Sequence, residues 1–227
     1  MSIPEREAHY LSHVLRLRPG AQVVVFNGRG AERLASVEIL SRRHAELRLD
    51  DTLVPLAEPE IEVHLVQALL KNDAMDLVVQ KATELGVRAI HAVKTELSVV
   101  KLDRSKAARR AEHWERIGQG ACEQSGRHRP PTIETHDSLD ACLAALPATG
   151  PRLVFHTDAA IGAAAPGRAE GAITLLVGPE GGLSPADLER IDADGFVRRS
   201  LGPRVLRAET AAIAACTLAQ LCWGGTS

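Results

Sequence analysis

The sequence predicts an α/β protein in which a mostly parallel sheet is covered by helices and preceded by a smaller β-rich domain. Three observations carry this reading. Beyond residue 60, short apolar runs alternate with stretches of helical period, the pattern of strand–helix–strand units that build a parallel sheet. Before residue 50 the apolar residues instead alternate in short runs broken by Asn27-Gly28-Arg29-Gly30, and an Asn-Gly between β-prone runs signals a hairpin. Between the two regimes, 55–59 holds two prolines and little periodicity, which makes it the candidate linker and sets domains at 1–57 and 58–227.

In chain order, 8–17 reads as a short helix stopped by Arg18-Pro19-Gly20, and Val23 to Phe26 and Leu34 to Ile39 read as strands. After the linker come a strand over 61–65, a helix over 73–85 with Met75, Val78, Val79 and Ala82 on its apolar face, and a strand over 87–93. A long helix over 104–123 follows, then one over 139–146. Strands recur at 153–156, 173–177 and 197–201, and an alanine-rich helix over 209–221 closes the pattern. The helix after 177 has a marked start: Ser184 at N-cap, Pro185 at N1 and Asp187 at N3 have the spacing of a capping box. The small residues of 159–171 suit a surface loop.

Composition narrows the function classes. A chain of 227 residues with 45% hydrophobic and 25% charged residues can bury a sizeable core. Its net charge of −2 carries no global nucleic-acid signature, and 3% aromatic residues leave few platforms for stacking bases. Arg104, Lys106, Arg109, Arg110, Arg116, Arg127 and Arg129 do cluster against only Glu112, Glu115 and Glu123; from charge alone a solvated helix face is the preferred reading. Cys122, Cys142, Cys216 and Cys222 form no Cys-x-x-Cys pair and are expected as reduced thiols of a cytoplasmic protein. No apolar run is long enough for a bilayer, so no membrane role is expected.

The chemistry concentrates in two glycine-punctuated segments, Leu175-Leu176-Val177-Gly178-Pro179-Glu180-Gly181-Gly182-Leu183-Ser184 and Leu201-Gly202-Pro203-Arg204-Val205-Leu206-Arg207-Ala208-Glu209-Thr210. Each reads as strand, tight turn, helix, and the carboxyl end of a buried strand is where open α/β sheets place ligands. Two such loops suggest one shared site. Neither matches the P-loop or the Gly-x-Gly-x-x-Gly dinucleotide pattern; no Gly-x-Ser-x-Gly is present, and the nine histidines show no zinc-protease His-x-x-x-His with its glutamate, so no metal is expected. A nucleoside without a phosphate tail fits better than ATP or NAD.

These two segments together are similar to the signature of the SPOUT superfamily of S-adenosylmethionine-dependent RNA methyltransferases. More narrowly, the chain resembles the ribosomal RNA small subunit methyltransferase E family, which methylates N3 of one uridine in 16S ribosomal RNA. Gln80-Lys81-Ala82-Thr83-Glu84-Leu85-Gly86-Val87, Trp114 with Ala121-Cys122-Glu123-Gln124-Ser125-Gly126-Arg127, and His13-Val14-Leu15-Arg16-Leu17-Arg18-Pro19-Gly20 fall in that family's order. The resemblance implies a parallel sheet ending in a trefoil knot, a PUA-like β-barrel ahead of it, a homodimer, and 16S ribosomal RNA or the assembled small subunit as partner. It departs at the start, where a further basic strand usually precedes His13, and this implies either an open barrel lacking its first strand or a misassigned start.

Carried over residue by residue, the resemblance implies cofactor contacts from His156 and Thr157, from Gly178, Pro179, Glu180 and Gly181, and from Leu201, Gly202 and Leu206. Uracil N3 must lose a proton to attack, and a guanidinium can stabilise the resulting anion or hold a phosphate; Arg207, supported by Arg204, is the candidate, with surface charge as the plain alternative. Glu209 starts a helix, where the dipole favours a carboxylate; helix-end stabilisation outweighs a general-base role, and the base stays unassigned. His13, Arg16, Arg127 and Arg129 are the candidate RNA contacts, with capping and packing the alternative for Arg127. Rival functions are another SPOUT activity, such as 2′-O-methylation of transfer RNA, or an RNA-binding ribosome-assembly factor without catalysis.

Overall fold

The computed structural model describes residues 1–54, 58–71, 73–100, 104–159 and 171–224. Residues 55–57 of the expected linker and 160–170 of the expected surface loop lie outside them. The chain divides into two compact units, Met1–Ala57 and Glu58–Ser227.

The first unit is an antiparallel sheet of four strands, β1 (Ser2–Ile3), β2 (Gln22–Phe26), β3 (Glu32–Leu40) and β4 (Ala45–Leu53), in the order β1-β4-β3-β2. Among the described residues no pairing joins β1 to β2, so the half-barrel is open. The expected hairpin is present, with Phe26 opposite Glu32. Asn27 organises its five-residue loop, its Oδ1 accepting from the backbone N–H of Arg29 at 2.8 Å and of Ala31 at 3.1 Å. Gly28 and Gly30 sit there at φ of 70° and 90°, which a side chain rarely tolerates. Strand β4 continues to Leu53 through Asp50 and Asp51, residue types depleted in strands; these two fall at a register shift without a Cα partner, and Thr52 and Leu53 resume the pairing with β3 beyond it. The first helix begins earlier than expected, as α1 (Glu5–His9), and runs into a π-helical turn, Tyr10–Val14; Arg16 ends it at φ 53°. Ala35, Val37 and Leu47 form the small core.

The second unit is a six-stranded, wholly parallel sheet: β5 (Val63–Ala68), β6 (Ala89–Val93), β7 (Thr132–His136), β8 (Arg152–Phe155), β9 (Ile173–Val177) and β10 (Val197–Arg199), in the order β10-β8-β9-β5-β6-β7. Helices α2 (Ala74–Glu84), α3 (Arg104–Ser125) and α6 (Ala208–Trp223) lie with one face, where Met75, Val78, Val79, Trp114, Ala212 and Ala215 join Leu65, Ile90 and Leu175 in the larger core. Helices α4 (Leu139–Ala145) and α5 (Pro185–Ala193) cover the other, with Leu139, Leu143, Leu188 and Ile191 against Val66, Val154 and Leu176. Between α2 and α3, Asp76 accepts from Trp114 Nε1 at 3.0 Å and meets His113 Nε2 at 2.8 Å, so the indole N–H is satisfied inside the interface.

Strand β7 was not expected from the sequence. Of Thr132, Ile133, Glu134, Thr135 and His136 only Ile133 is apolar, since an edge strand pairs on one side and needs little apolar surface. Strand β5 runs three residues past its expected end, because Gln67 interrupts the apolar run.

Candidate active site

The carboxyl ends of β8, β9, β10 and β5 open on one cavity of about 770 Å³. It is lined by Phe155, His156 and Thr157 after β8, by 177–183 after β9, by Ser200, Leu201 and 204–208 after β10, and by Lys71 and Ala74 after β5; Glu209 and Ala211 of α6 complete it. The parallel register puts these loops on one edge: Phe155 pairs with Val177 and Arg199 with Phe155. Both glycine segments therefore serve one site, as their shared pattern suggests.

The first loop is held from beneath and from both sides. Gln67, fully buried on β5, donates from Nε2 to Ala68 O at 3.0 Å and to Val177 O and Gly178 O, each at 3.4 Å. Glu180 accepts from the backbone N–H of Lys71 at 2.9 Å, stapling the loop to the end of β5. Gly182 N–H donates to Pro179 O at 2.9 Å, closing the turn with Gly182 at φ 76°. The capping box of α5 is complete: Ser184 Oγ accepts from Asp187 N–H at 3.1 Å, and Asp187 Oδ2 accepts from Ser184 N–H at 3.4 Å. Asp187, 2% exposed, also takes the N–H of Glu96 at 3.2 Å. These bonds fix the loop before any ligand arrives.

The second loop is built by Ser200, whose Oγ donates to Gly202 O at 2.9 Å, with Gly202 at φ 108°. Gly202 shapes the turn but does not line the cavity, unlike the other expected cofactor contacts, all of which do. Arg207 is the N-cap of α6, with an 86% exposed side chain, and Glu209 Oε1 lies 4.0 Å from its Nη1. A pair that long and that exposed binds weakly, so the guanidinium is available to a ligand. Arg204 shares the cavity wall. Positive charge thus gathers where the amino end of α6 already favours an anion.

Lys71, Ala74, Phe155 and Ser200 were not anticipated. Ending β5 at Leu65 concealed that 69–71 leave the same carboxyl edge as the glycine loops.

The expected RNA contacts separate. His13 and Arg16 are exposed in the first unit, and Arg129 is exposed in the second. Arg127 is not a surface contact. At 8% exposure its Nη1 donates to Thr83 O at 3.0 Å and Val87 O at 2.8 Å, while Nε and Nη2 clasp Glu58 at 2.9 to 3.2 Å. Its guanidinium is used within the fold, joining the end of α3 to the turn between α2 and β6.

Residues 57–220 match the family model of an RNA methyltransferase domain, and 3–50 match that of an RNA methyltransferase PUA domain. Sheet, cavity and family models together define the class, a two-unit RNA methyltransferase. Ribosomal RNA small subunit methyltransferase E of Bacillus subtilis is 32% identical over 92% of this chain and 85% of its own length, and that of Mycobacterium bovis is 32% identical over 92% and 81%. The chain belongs to the ribosomal RNA small subunit methyltransferase E family. Two similar solved structures are a methyltransferase of Legionella pneumophila, described in complex with the bound cofactor SAM (33% identity, TM-score 0.92), and ribosomal RNA small subunit methyltransferase E of Neisseria gonorrhoeae, described as bound to S-adenosyl methionine (31%, TM-score 0.91). Each covers all of this chain, which in turn covers 93% of each. Among the described residues no helix is long and apolar enough to cross a membrane.

Proposed function

We propose that this chain uses S-adenosylmethionine to methylate N3 of one uridine in 16S ribosomal RNA, acting as a cytoplasmic homodimer whose domain 1–57 helps dock the RNA and whose domain 58–227 carries the chemistry. The observation that carries the reading is the single cavity into which both glycine loops and Arg207 converge. Its size suits a nucleoside-sized ligand, and its walls fit the cofactor's chemistry. Apolar faces from Phe155, Val177, Leu201 and Leu206 can enclose an adenine, and the backbone of 178–181 and of Leu201 offers hydrogen bonds without bulky side chains. No phosphate-binding lysine motif is needed.

When bound, S-adenosylmethionine supplies an already activated methyl group, so the protein's task is alignment rather than activation. Gln67, Glu180 and the capping box hold the first loop rigid, and Ser200 holds the second. Arg207, at the cavity mouth and without a close partner, stabilises the charge on the uracil as N3 loses its proton, or holds the adjoining phosphate. Arg204 adds to that positive field. Glu209 stands at the amino end of α6, where a carboxylate is favoured, and stabilises that helix end rather than accepting the proton. The decisive experiment is mass spectrometry of nucleosides from 16S ribosomal RNA of a deletion strain and of the complemented strain. N3-methyluridine should vanish and return; a lost 2′-O-methyl nucleoside in transfer RNA, or no lost nucleoside at all, overturns the reading.

A further inference from the structure

Away from the cavity, the sheet face covered by α4 and α5 carries a row of imidazoles. His64 on β5, His91 on β6 and His136 on β7 step diagonally across three neighbouring strands. His64 Nδ1 is 3.2 Å from His91 Nε2, and His91 Nδ1 is 3.1 Å from His136 Nε2. Two further donors converge on the second contact. Glu134, on the same face of β7 as His136, places Oε2 3.7 Å from both His91 Nδ1 and His136 Nε2. From α4, the Cys142 sulfur comes within 4.8 Å of a ring nitrogen of each of these histidines. His91 and Cys142 are 2% and 0% exposed, whereas Glu134 reaches the surface.

A ladder of neutral rings accounts for the imidazole contacts, but it gives no reason for a carboxylate and a thiol to meet at the same two nitrogens.

The geometry points to a structural divalent-metal site, of a kind suited to Zn²⁺, held by His91 Nδ1, His136 Nε2, the Glu134 carboxylate and the Cys142 thiolate. The first three donor atoms form a triangle with edges of 3.1, 3.7 and 3.7 Å. The nearest point equidistant from them lies in their plane about 2.0 Å from each, and an ion raised from that plane toward a fourth donor would sit only slightly farther away, close to the lengths of Zn–N and Zn–O bonds. Cys142 supplies the fourth, softer donor of a tetrahedral set after a small side-chain adjustment, and its thiol proton passes to solvent on binding. The outer contact agrees: with Nδ1 on the metal, His91 carries its proton on Nε2 and donates it to His64 Nδ1, which fixes its tautomer. Four protein ligands leave no open position, so the ion would pin the edge strand β7 and α4 to β6 rather than take part in catalysis. The sequence gives no hint because the ligands, 91, 134, 136 and 142, come from three separate elements.

The test is titration of the full-length, chelator-stripped protein with Zn²⁺ and, as a spectroscopic probe, Co²⁺. One equivalent of either should bind, Co²⁺ should show thiolate-to-metal charge transfer, and Zn²⁺ at a hundredfold excess over Kd should raise Tm by about 5 °C. His136→Asn and Cys142→Ala should each weaken uptake by about tenfold or more. His9→Ala, which removes the exposed stacked pair His9–His13, should leave it unchanged. The proposal is overturned if the unaltered protein shows no saturable uptake or no thiolate band, or if uptake is lost in His9→Ala and kept in the two pocket variants. The cobalt spectrum needs no substitution, so a variant that misfolds does not shield the proposal.

Discussion

Two arginines that the sequence marks as candidate contacts, Arg207 before α6 and Arg127 after α3, have opposite situations in the fold. Arg207 projects into solvent at the cavity mouth with only a 4.0 Å approach to Glu209. Arg207→Ala should therefore leave S-adenosylmethionine affinity near normal while single-turnover methylation falls about 10- to 150-fold, the equivalent of one charge-assisted hydrogen bond of about 1.5–3 kcal/mol. Arg207→Lys should recover part of the rate, keeping the charge but losing the planar fork. Wild-type rates at both saturating and subsaturating RNA would reduce Arg207 to surface charge. Arg127 is the contrasting case. Truncating it strands Glu58 and two backbone carbonyls, so Arg127→Ala should cost about 3 kcal/mol of stability, seen as a lower urea midpoint. A fully stable variant with weakened RNA binding would restore it to the RNA surface. Sequence pattern could not separate the two, because a basic residue beside a helix end reads the same whether it points out or folds back into the protein.

At the scale of elements, the glycine loop after β9 shows how local chemistry and tertiary contact divide the work. The capping box of α5 was legible because Ser184, Pro185 and Asp187 act within one turn. The anchors through Gln67, Lys71 and Glu96 were not, since each reaches across about 90 to 110 residues. The same distinction revises the reason for Gly181. From sequence, its missing Cβ leaves room for the cofactor; in the fold a Cβ there would stand 3.3 Å from Leu97 O and 3.4 Å from Leu97 Cβ. Gly181→Val should thus push the loop off Leu97 and weaken cofactor binding about tenfold or more, at the cost of about 1–3 kcal/mol typical of overpacking. Isothermal calorimetry with a folded mutant checks this, and unchanged affinity would remove the loop from the cofactor site. Strand β7 was missed for a related reason: its residues are polar because it lies at the edge, and only its pairing with β6 makes it a strand.

For the whole molecule, the alanine-rich α6 packs Ala208, Ala212, Ala215 and Ala219 into its own core and still shows Leu221 with 81% exposure. If the proposed homodimer pairs through α6, the protein should sediment as a dimer at micromolar concentration, and Leu221→Glu should shift it toward monomer and lower methylation in parallel. A monomeric wild type with full activity would contradict the dimer. The two-unit organisation follows from a change in hydrophobic period near residue 57, from two to the alternation of buried strand and amphipathic helix, and that change is readable without any coordinates.

Local physics, then, was determined by the sequence alone: which stretches are helix or buried strand, where α5 starts, where glycine is required, and that two strand–turn–helix loops share one site. Such features depend on neighbours within a few residues, and a linear pattern records them. Only the tertiary structure decided the strand order β10-β8-β9-β5-β6-β7 that gathers four loops at one edge, the inward turn of Arg127, and the meeting of His91, Glu134, His136 and Cys142. Each of these is a contact between residues far apart in the chain, and its free energy depends on burial and on the dielectric around it, quantities that exist only once the sheet is assembled.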